Sequence, residues 1–130
     1  MLHHVESWVP DLGRASAEWG WLLEEMRYQP YQEWPAGRSW RLGPAYVVVE
    51  QSPDLVPGPY ERRRTGLNHL AFHVADRVAP DGLVEGAAGI GRRLLFPDRH
   101  PHAGGEGHCA AYLENDDGFE VELVVALDQS

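Results

Sequence analysis

The stretch DDGFEVELVV, from Asp116 to Val125, decides how the rest of the chain is interpreted. Its apolar side chains recur at every second position, and Glu120 and Glu122 occupy the alternate positions. Alternation with a period of two is typical of a β-strand that has one buried face. The carboxylates of such a strand are ordinarily solvated. They become candidates for ligand binding only if other strands place chemically matched side chains on the same face of the sheet.

Composition indicates one globular domain, residues 1–130, of which 43% are hydrophobic and 24% charged. The formal charge of −9 argues against a nucleic-acid partner, because proteins that bind phosphate backbones gather cations on one face. No apolar run is long enough to span a membrane, and no signal peptide is evident. We therefore expect a soluble, cytoplasmic protein whose partner is a small molecule, with no membrane partner.

Two minor features have simple interpretations. The single cysteine, Cys109, excludes an internal disulfide and lies in an apolar run, which favours a buried, inert thiol. The three arginines at positions 62–64 stand in a segment rich in Pro and Gly, and we interpret them as part of a solvated linker. Contact of these arginines with an anionic ligand or a partner subunit is the alternative.

The first half of the chain has the predicted order strand, helix and three strands. Residues 3–9 alternate and predict a strand, and Asp11 is the predicted N-cap of the helix that follows. Apolar residues then recur at spacings of three and four over residues 12–28, which predicts an amphipathic helix. Three strand-like segments complete this half: residues 31–34, 38–42 and 45–51.

The second half repeats this order about 65 residues later, after a linker at about residues 52–66. The predicted strand, helix and three strands are residues 66–76, 79–90, 92–96, 108–114 and the alternating part of 116–125, which follows a predicted turn at residues 115–118. A repeated unit too small to bury its own core predicts that the two copies pack together. We therefore expect an α+β fold of two βαβββ modules, about 2–51 and about 67–126, that form a curved, partly closed mixed sheet of about eight strands. The helices would lie outside and a concave ligand cleft inside.

The predicted strands carry a set of possible metal ligands. In each module, a histidine of the first strand and a glutamate of the last strand lie on the face opposite the helix. Imidazole and carboxylate groups are ordinary ligands of divalent metals. Because the two repeats match, we predict one divalent metal site (Zn, Ni, Mn or Fe(II)). Its ligands would be His4 and Glu50 from the first module and His69 and Glu122 from the second. Glu120 shares the face but has no counterpart, and we interpret it as solvated.

Four segments resemble the vicinal oxygen chelate superfamily, which includes glyoxalase I, extradiol dioxygenases, methylmalonyl-CoA epimerases, and fosfomycin and bleomycin resistance proteins. The segments are LHHVESWVPDL, YVVVEQS, GLNHLAFHVAD and YLENDDGFEVELV, and the resemblance covers about residues 2–125. It implies paired βαβββ modules around a metal, commonly in a homodimer whose site is built within one chain or across two. The family's ligand positions fall on the same two histidines and two glutamates, a set that looks most like glyoxalase I.

The resemblance implies proton transfer beside a metal. A divalent cation that chelates two neighbouring substrate oxygens stabilises an enediolate, and a carboxylate at the metal can remove the adjacent C–H proton. Glu122 is implied as that base, and Glu50 as the carboxylate at the corresponding position of the first module. The implied function is a glyoxalase-I-like lyase or isomerase that acts on a small oxygenated substrate, such as a thiol–ketoaldehyde adduct. The arginine and asparagine positions by which glyoxalase I holds glutathione have no clear match, so the thiol is not identified.

An extradiol-type, ring-cleaving dioxygenase is the first alternative. His4, His69 and Glu122 could supply its Fe(II) triad. By resemblance, His102 and Tyr112 would then steer catechol and oxygen near the iron.

A protein that binds a drug without catalysis, of the bleomycin-resistance type, is the second alternative. Trp8 and Tyr46 lie on the predicted ligand face and could line an aromatic cleft for a flat ligand. His73 lies two residues beyond His69 on the same strand face and is a further candidate for substrate binding.

Overall fold

The computed structural model describes residues 1–74, 80–105 and 109–125 of the chain. It divides into two compact units, Met1–Gly58 and Pro59–Ser130, and each is described by itself. Each unit has one helix and one four-stranded mixed sheet among its described residues. The α+β class and the βαβββ order predicted from the sequence are therefore confirmed.

The first unit has its elements in the predicted order: β1 (His4–Trp8), α1 (Leu12–Glu25), β2 (Gln29–Trp34), β3 (Gly37–Leu42) and β4 (Ala45–Glu50). The sheet order is β1-β4-β3-β2, with β1 and β4 parallel and the other pairs antiparallel. The helix begins where predicted because Asp11 Oδ1 accepts a hydrogen bond from the backbone N–H of Arg14 at 3.0 Å. It ends earlier than predicted, since Arg27 adopts a left-handed backbone conformation with φ 70°.

Helix α1 packs on one face of the first sheet, and the other face carries mostly polar and aromatic side chains. Val47 and Val49 of β4 are buried on the helix side, and Trp19 of α1 is 2% exposed. Fully burying an aliphatic or aromatic side chain stabilises the fold by roughly 1.5–3 kcal/mol. Because side chains alternate along a strand, Tyr46 and Glu50 project from the opposite face.

The second unit repeats the order: β5 (His69–His73), α2 (Pro80–Ala88), β6 (Arg92–Leu94), β7 (Cys109–Asn115) and β8 (Glu120–Val125). Its sheet order is β5-β8-β7-β6, again with the first pair parallel. The predicted turn at residues 115–118 precedes strand β8 and is stabilised by Asn115. Asn115 Oδ1 accepts the backbone N–H of Asp117 at 3.1 Å and that of Phe119 at 2.9 Å.

The second core is built in the same way as the first. Leu83 and Ala87 of α2 are buried, as are Phe72 of β5 and the alternate residues Val121 and Leu123 of β8. The face of β8 that carries Glu120 and Glu122 is thereby turned away from these apolar residues. Among the described residues, neither helix has the length and hydrophobicity needed to cross a bilayer.

Candidate functional site

His69 lies between two glutamates in the second unit. In the parallel pair β5 and β8, His69 stands opposite Glu120, and Ala71 stands opposite Glu122. The Nε2 atom of His69 is 3.1 Å from Oε1 of Glu122, and its Nδ1 atom is 3.2 Å from Oε2 of Glu120. Glu122 is only 6% exposed and Glu120 only 8%. The prediction that Glu120 is solvated is therefore wrong, because the sheet buries its carboxylate against the imidazole.

Arg62 supplies a positive charge to this buried pair. Its Nη2 atom lies 3.1 Å from Glu114 Oε2, and its Nε atom lies 3.2 Å from Glu120 Oε1, an ion pair without hydrogen-bond alignment. The Arg62 side chain is 16% exposed, so the interpretation of Arg62 as part of a solvated linker is wrong. Burial raises the pKa of Glu120, and the charges of Arg62 and His69 oppose that rise.

Asn68 fixes the orientation of the His69 ring. Its Oδ1 atom lies 2.7 Å from Nδ1 of His69, and its Nδ2 atom donates a hydrogen bond to the Arg62 carbonyl at 3.1 Å. Nδ1 faces the oxygens of Asn68 and Glu120, an arrangement that suits an N–H group at this nitrogen. The Nε2 atom is then left to share either a proton or a metal ion with Glu122. A histidine held by a carboxylate through its other nitrogen is the usual arrangement of a metal ligand.

Tyr112 joins the same cluster from β7. It stands opposite Glu122, and its ring meets that of His69 edge to face with 6.1 Å between centroids. Burial raises the pKa of the Tyr112 hydroxyl, and the charge of Glu122 and a hydrogen bond to it raise the pKa further. The phenol therefore stays protonated at neutral pH and can donate to an anionic oxygen. The structure thus brings together three of the predicted site residues: His69, Tyr112 and Glu122.

The corresponding strands of the first unit carry an aromatic arrangement. His4 stands opposite Tyr46, and the two rings are stacked with 4.8 Å between centroids and 7° between planes. Glu50 stands four positions further along β4, opposite Trp8. The Nε1 atom of Trp34 donates a hydrogen bond to Oε1 of Glu50 at 3.2 Å. Four residues of strand span about 13 Å, at ~3.3 Å per residue, which is too far for His4 and Glu50 to bind one ion together.

Glu50 and Glu122 are therefore not equivalent, contrary to the match made from the sequence. Glu122 stands opposite the residue two beyond His69. The residue of the first unit in that position is Val48, which stands opposite Glu6. Val48 is apolar and 5% exposed. The mismatch arises because Glu50 shares the correct face of its strand but lies two residues further along the register.

The other predicted binding residues lie in several places. Trp8 is 40% exposed, and its Nε1 atom donates to Oε2 of Glu6 at 2.7 Å. His73 is exposed at the end of β5, opposite Val124. His102 is exposed in a loop, where its backbone N–H donates to the Arg99 carbonyl at 2.7 Å. Their part in substrate binding stays a prediction.

Two donor atoms of the second unit fit a metal ion. The 3.1 Å between His69 Nε2 and Glu122 Oε1 is close to the spacing of neighbouring ligands that each lie about 2.0–2.2 Å from a metal. Within each unit, the described part of the chain has no group of three or more His, Cys, Asp or Glu side chains arranged to hold an ion. Glu120 does not supply a third ligand because it meets the opposite edge of the imidazole.

Reasoning from the sequence missed three residues that build this cluster: Arg62, Asn68 and Glu120. Glu120 carried a usable signal, since it shares the alternating face of Glu122. Arg62 and Asn68 carried none, because their contacts depend on how the segment before β5 folds back against the sheet.

Comparison with known sequences agrees with this fold. A sequence profile of the Glyoxalase/Bleomycin resistance protein/Dioxygenase superfamily matches residues 3–112. The chain is 44% identical over 124 residues to the uncharacterized protein YqjT of Bacillus subtilis (strain 168), which covers 95% of this chain and 97% of that protein.

Two crystal structures are also similar. A protein from Bacillus halodurans, provisionally described as a glyoxalase, is 43% identical with a TM-score of 0.89, and the match covers 97% of this chain and 96% of that one. A glyoxalase/bleomycin resistance protein from Albidiferax ferrireducens T118 is 16% identical with a TM-score of 0.76, over 98% and 99% of the two chains, and shows the fold alone. Because the profile spans most of the sequence, the chain belongs to the glyoxalase/bleomycin resistance protein/dioxygenase superfamily, also called the vicinal oxygen chelate superfamily.

Proposed function

We propose that the protein is a metal-dependent, glyoxalase-I-like lyase or isomerase in which His69 and Glu122 hold a divalent cation. The observation that carries this proposal is the 3.1 Å contact between His69 Nε2 and Glu122 Oε1. Asn68 and Glu120 hold the other nitrogen of the same ring, so Nε2 is preorganised as a ligand that donates its lone pair to a metal. The substrate would be a small molecule with two neighbouring oxygens.

The remaining coordination positions would be filled by substrate oxygens and by one further protein ligand. Of the two residues that the sequence offers for that role, His4 and Glu50, the register favours His4, since Glu50 lies two residues beyond the position that matches Glu122. A donor set of imidazole and carboxylate suits Zn, Ni, Mn and Fe(II) alike.

When bound, the cation would act as a Lewis acid toward the chelated substrate oxygens and ease proton loss from the neighbouring carbon. Glu122 would be the base, because its carboxylate can leave the contact with His69 and accept that proton. Tyr112 would donate a hydrogen bond to Glu122 or to a substrate oxygen, since its raised pKa keeps the hydroxyl protonated. Arg62 and Glu120 would be positioning residues that act through His69.

Metal titration of the purified protein by calorimetry tests the proposal. We expect stoichiometric binding of at least one of Zn, Ni or Mn, and a loss of affinity of about 100-fold or more in H69A and E122Q, because even outer-shell partners are worth about 10–100-fold. Glu33→Gln is the matched control, since the Glu33 side chain is 74% exposed and pairs only with Arg38 among the described residues. Equal affinities in E33Q and E122Q would contradict the proposal.

Activity separates the reaction classes. The metal-loaded protein should isomerise hemithioacetals of a panel of small thiols without oxygen, and E122Q should lose this activity. Uptake of oxygen in the presence of catechols would instead identify a ring-cleaving dioxygenase.

Binding without catalysis is the second candidate, and the aromatic face of the first unit favours it. The stack of His4 on Tyr46 and the hydrogen bond from Trp34 to Glu50 give that face planar surfaces suited to a flat ligand. A metal-free protein whose tryptophan fluorescence is quenched saturably by a flat aromatic drug would favour this candidate.

A cytoplasmic homodimer remains part of both proposals, and sedimentation of the purified chain tests the dimer.

A further inference from the structure

A pocket lies wholly within the first unit. It has a volume of about 430 Å³ and lies between the end of α1, the start of β2 and the turn from β3 to β4. This volume is within the roughly 300–1,000 Å³ typical of small-molecule sites. Its lining belongs to the continuously described range 1–74 and contains Arg27 and Arg41 but no acidic residue. None of the predicted metal ligands lines it.

Arg41 is held in place at this pocket by two contacts. Its Nε atom donates a hydrogen bond to the Gly43 carbonyl at 2.7 Å, and its guanidinium carbon lies 5.2 Å from the centroid of the Tyr31 ring. These contacts leave the terminal nitrogens as donors, and no described carboxylate forms an ion pair with them. A guanidinium fixed in this way loses little side-chain entropy when it binds a ligand.

Arg27 reaches the same pocket from a strained backbone position. It follows Met26, the C-cap of α1, and its φ of 70° lies in the left-handed region where glycine is preferred. Residues held in sparsely populated backbone regions cluster at active sites and ligand-binding sites. Arg27 lines the pocket and is its second cationic residue.

We propose that this pocket binds the oxyanion group of a small ligand, a carboxylate or a phosphate, through Arg27 and Arg41. Guanidinium groups recognise both kinds of oxyanion by charge-assisted hydrogen bonds. Tyr31, which is 45% exposed, forms the wall against which the body of the ligand packs. The formal charge of the chain is −9, so anions are drawn only to places where cations are concentrated. The inference is independent of the metal site, because it uses residues of the first unit alone.

Calorimetric titration of the full chain with inorganic phosphate and with succinate tests the proposal, at constant ionic strength and with a chelator present. We expect saturable 1:1 binding of at least one anion. Arg41→Gln should weaken it by about tenfold or more, as expected for loss of a charge-assisted hydrogen bond. Arg27→Gly should weaken it similarly while the melting temperature stays the same or rises, because glycine accepts the left-handed conformation.

The matched control is Arg64→Gln, which removes the same charge from an exposed arginine of the second unit and should leave anion affinity unchanged. Binding of phosphate alone would identify a phosphorylated ligand, and binding of succinate alone a carboxylate. If neither anion binds saturably, or if Arg27→Gly and Arg41→Gln bind as tightly as Arg64→Gln, the proposal is overturned. The chelator makes this outcome independent of whether the metal site exists.

Discussion

The two units share an element order and a strand register but carry different chemistry at matching positions. The residue opposite the leading histidine is Tyr46 in the first unit and Glu120 in the second. The next residue on the same face is Val48 in the first unit and Glu122 in the second. The repeated backbone therefore decides where a side chain lies, while the local sequence decides whether that position is aromatic or acidic. A fold-level repeat does not imply a repeated ligand set.

The units also differ in how they hold their carboxylates. In the first unit, indole N–H groups donate to them: Trp34 to Glu50 at 3.2 Å and Trp8 to Glu6 at 2.7 Å. In the second unit, the guanidinium of Arg62 forms an ion pair with Glu120, and the imidazole of His69 lies against Glu122. An indole gives one neutral hydrogen bond, whereas the guanidinium of Arg62 also offsets charge, which lets the second unit bury neighbouring glutamates.

The largest expected difference between the units concerns metal binding. Glu122→Gln should lower the affinity for a divalent ion by about 100-fold or more, because it replaces a direct ligand. Loss of an outer-shell partner alone lowers metal affinity by about 10–100-fold. Glu50→Gln should change affinity far less, because Glu50 lies two residues beyond the matching register position. Calorimetry of both variants with the same ion measures the difference. Similar losses in the two variants would refute the asymmetry drawn from the register.

Removal of the Arg62 charge should destabilise the second unit. Arg62→Ala leaves Glu120 buried without its counter-charge, so we expect the free energy of unfolding to fall by about 3 kcal/mol. Arg64→Ala, at an exposed position nearby, should leave the free energy of unfolding within about 0.5 kcal/mol of the wild-type value. Urea unfolding gives both values. The double variant R62A/E120Q should recover part of the loss, and a failure to do so would mean that Arg62 does not act through Glu120.

A methyl group at Gly37 should disturb the aromatic face of the first unit. The Cβ atom of an alanine there would lie 2.3 Å from Cζ2 of Trp34, so the indole must move and release Glu50. We expect Gly37→Ala to lower the free energy of unfolding by about 1–2 kcal/mol and to shift the tryptophan fluorescence. In a W34A background the same substitution should change the free energy of unfolding little, since the clashing ring is absent. An equal cost in both backgrounds would place the effect in the β3 backbone.

A methyl group at a glycine of the second unit should have a small, opposite effect. Gly82 lies in α2, and a Cβ atom added there would meet no atom within 4 Å. Gly82→Ala should therefore raise the free energy of unfolding by about 0.5–1 kcal/mol, the difference in helix propensity. Thermal unfolding detects this as a higher melting temperature. A lower one would show that the methyl group is not accommodated.

Most of the fold could be predicted from local patterns. The period of two and the period of 3.6 located the strands and helices, and the Asp11 cap located the start of α1. The end of α1 was missed because Arg27, a residue without a strong preference for the left-handed region, stops it. The burial of Glu120 was missed because it depends on Arg62, which is distant in the sequence.

The sequence by itself determined the class, the repeat and the face of each strand on which a side chain lies. It could do so because alternation is a local property, set by the pleat of a single strand. Only the tertiary structure decided which residues stand opposite one another, since register depends on the pairing of strands that are far apart in the chain. A displacement of two residues preserves the face and changes the neighbours. That displacement separates Glu50 from the position that Glu122 occupies beside His69.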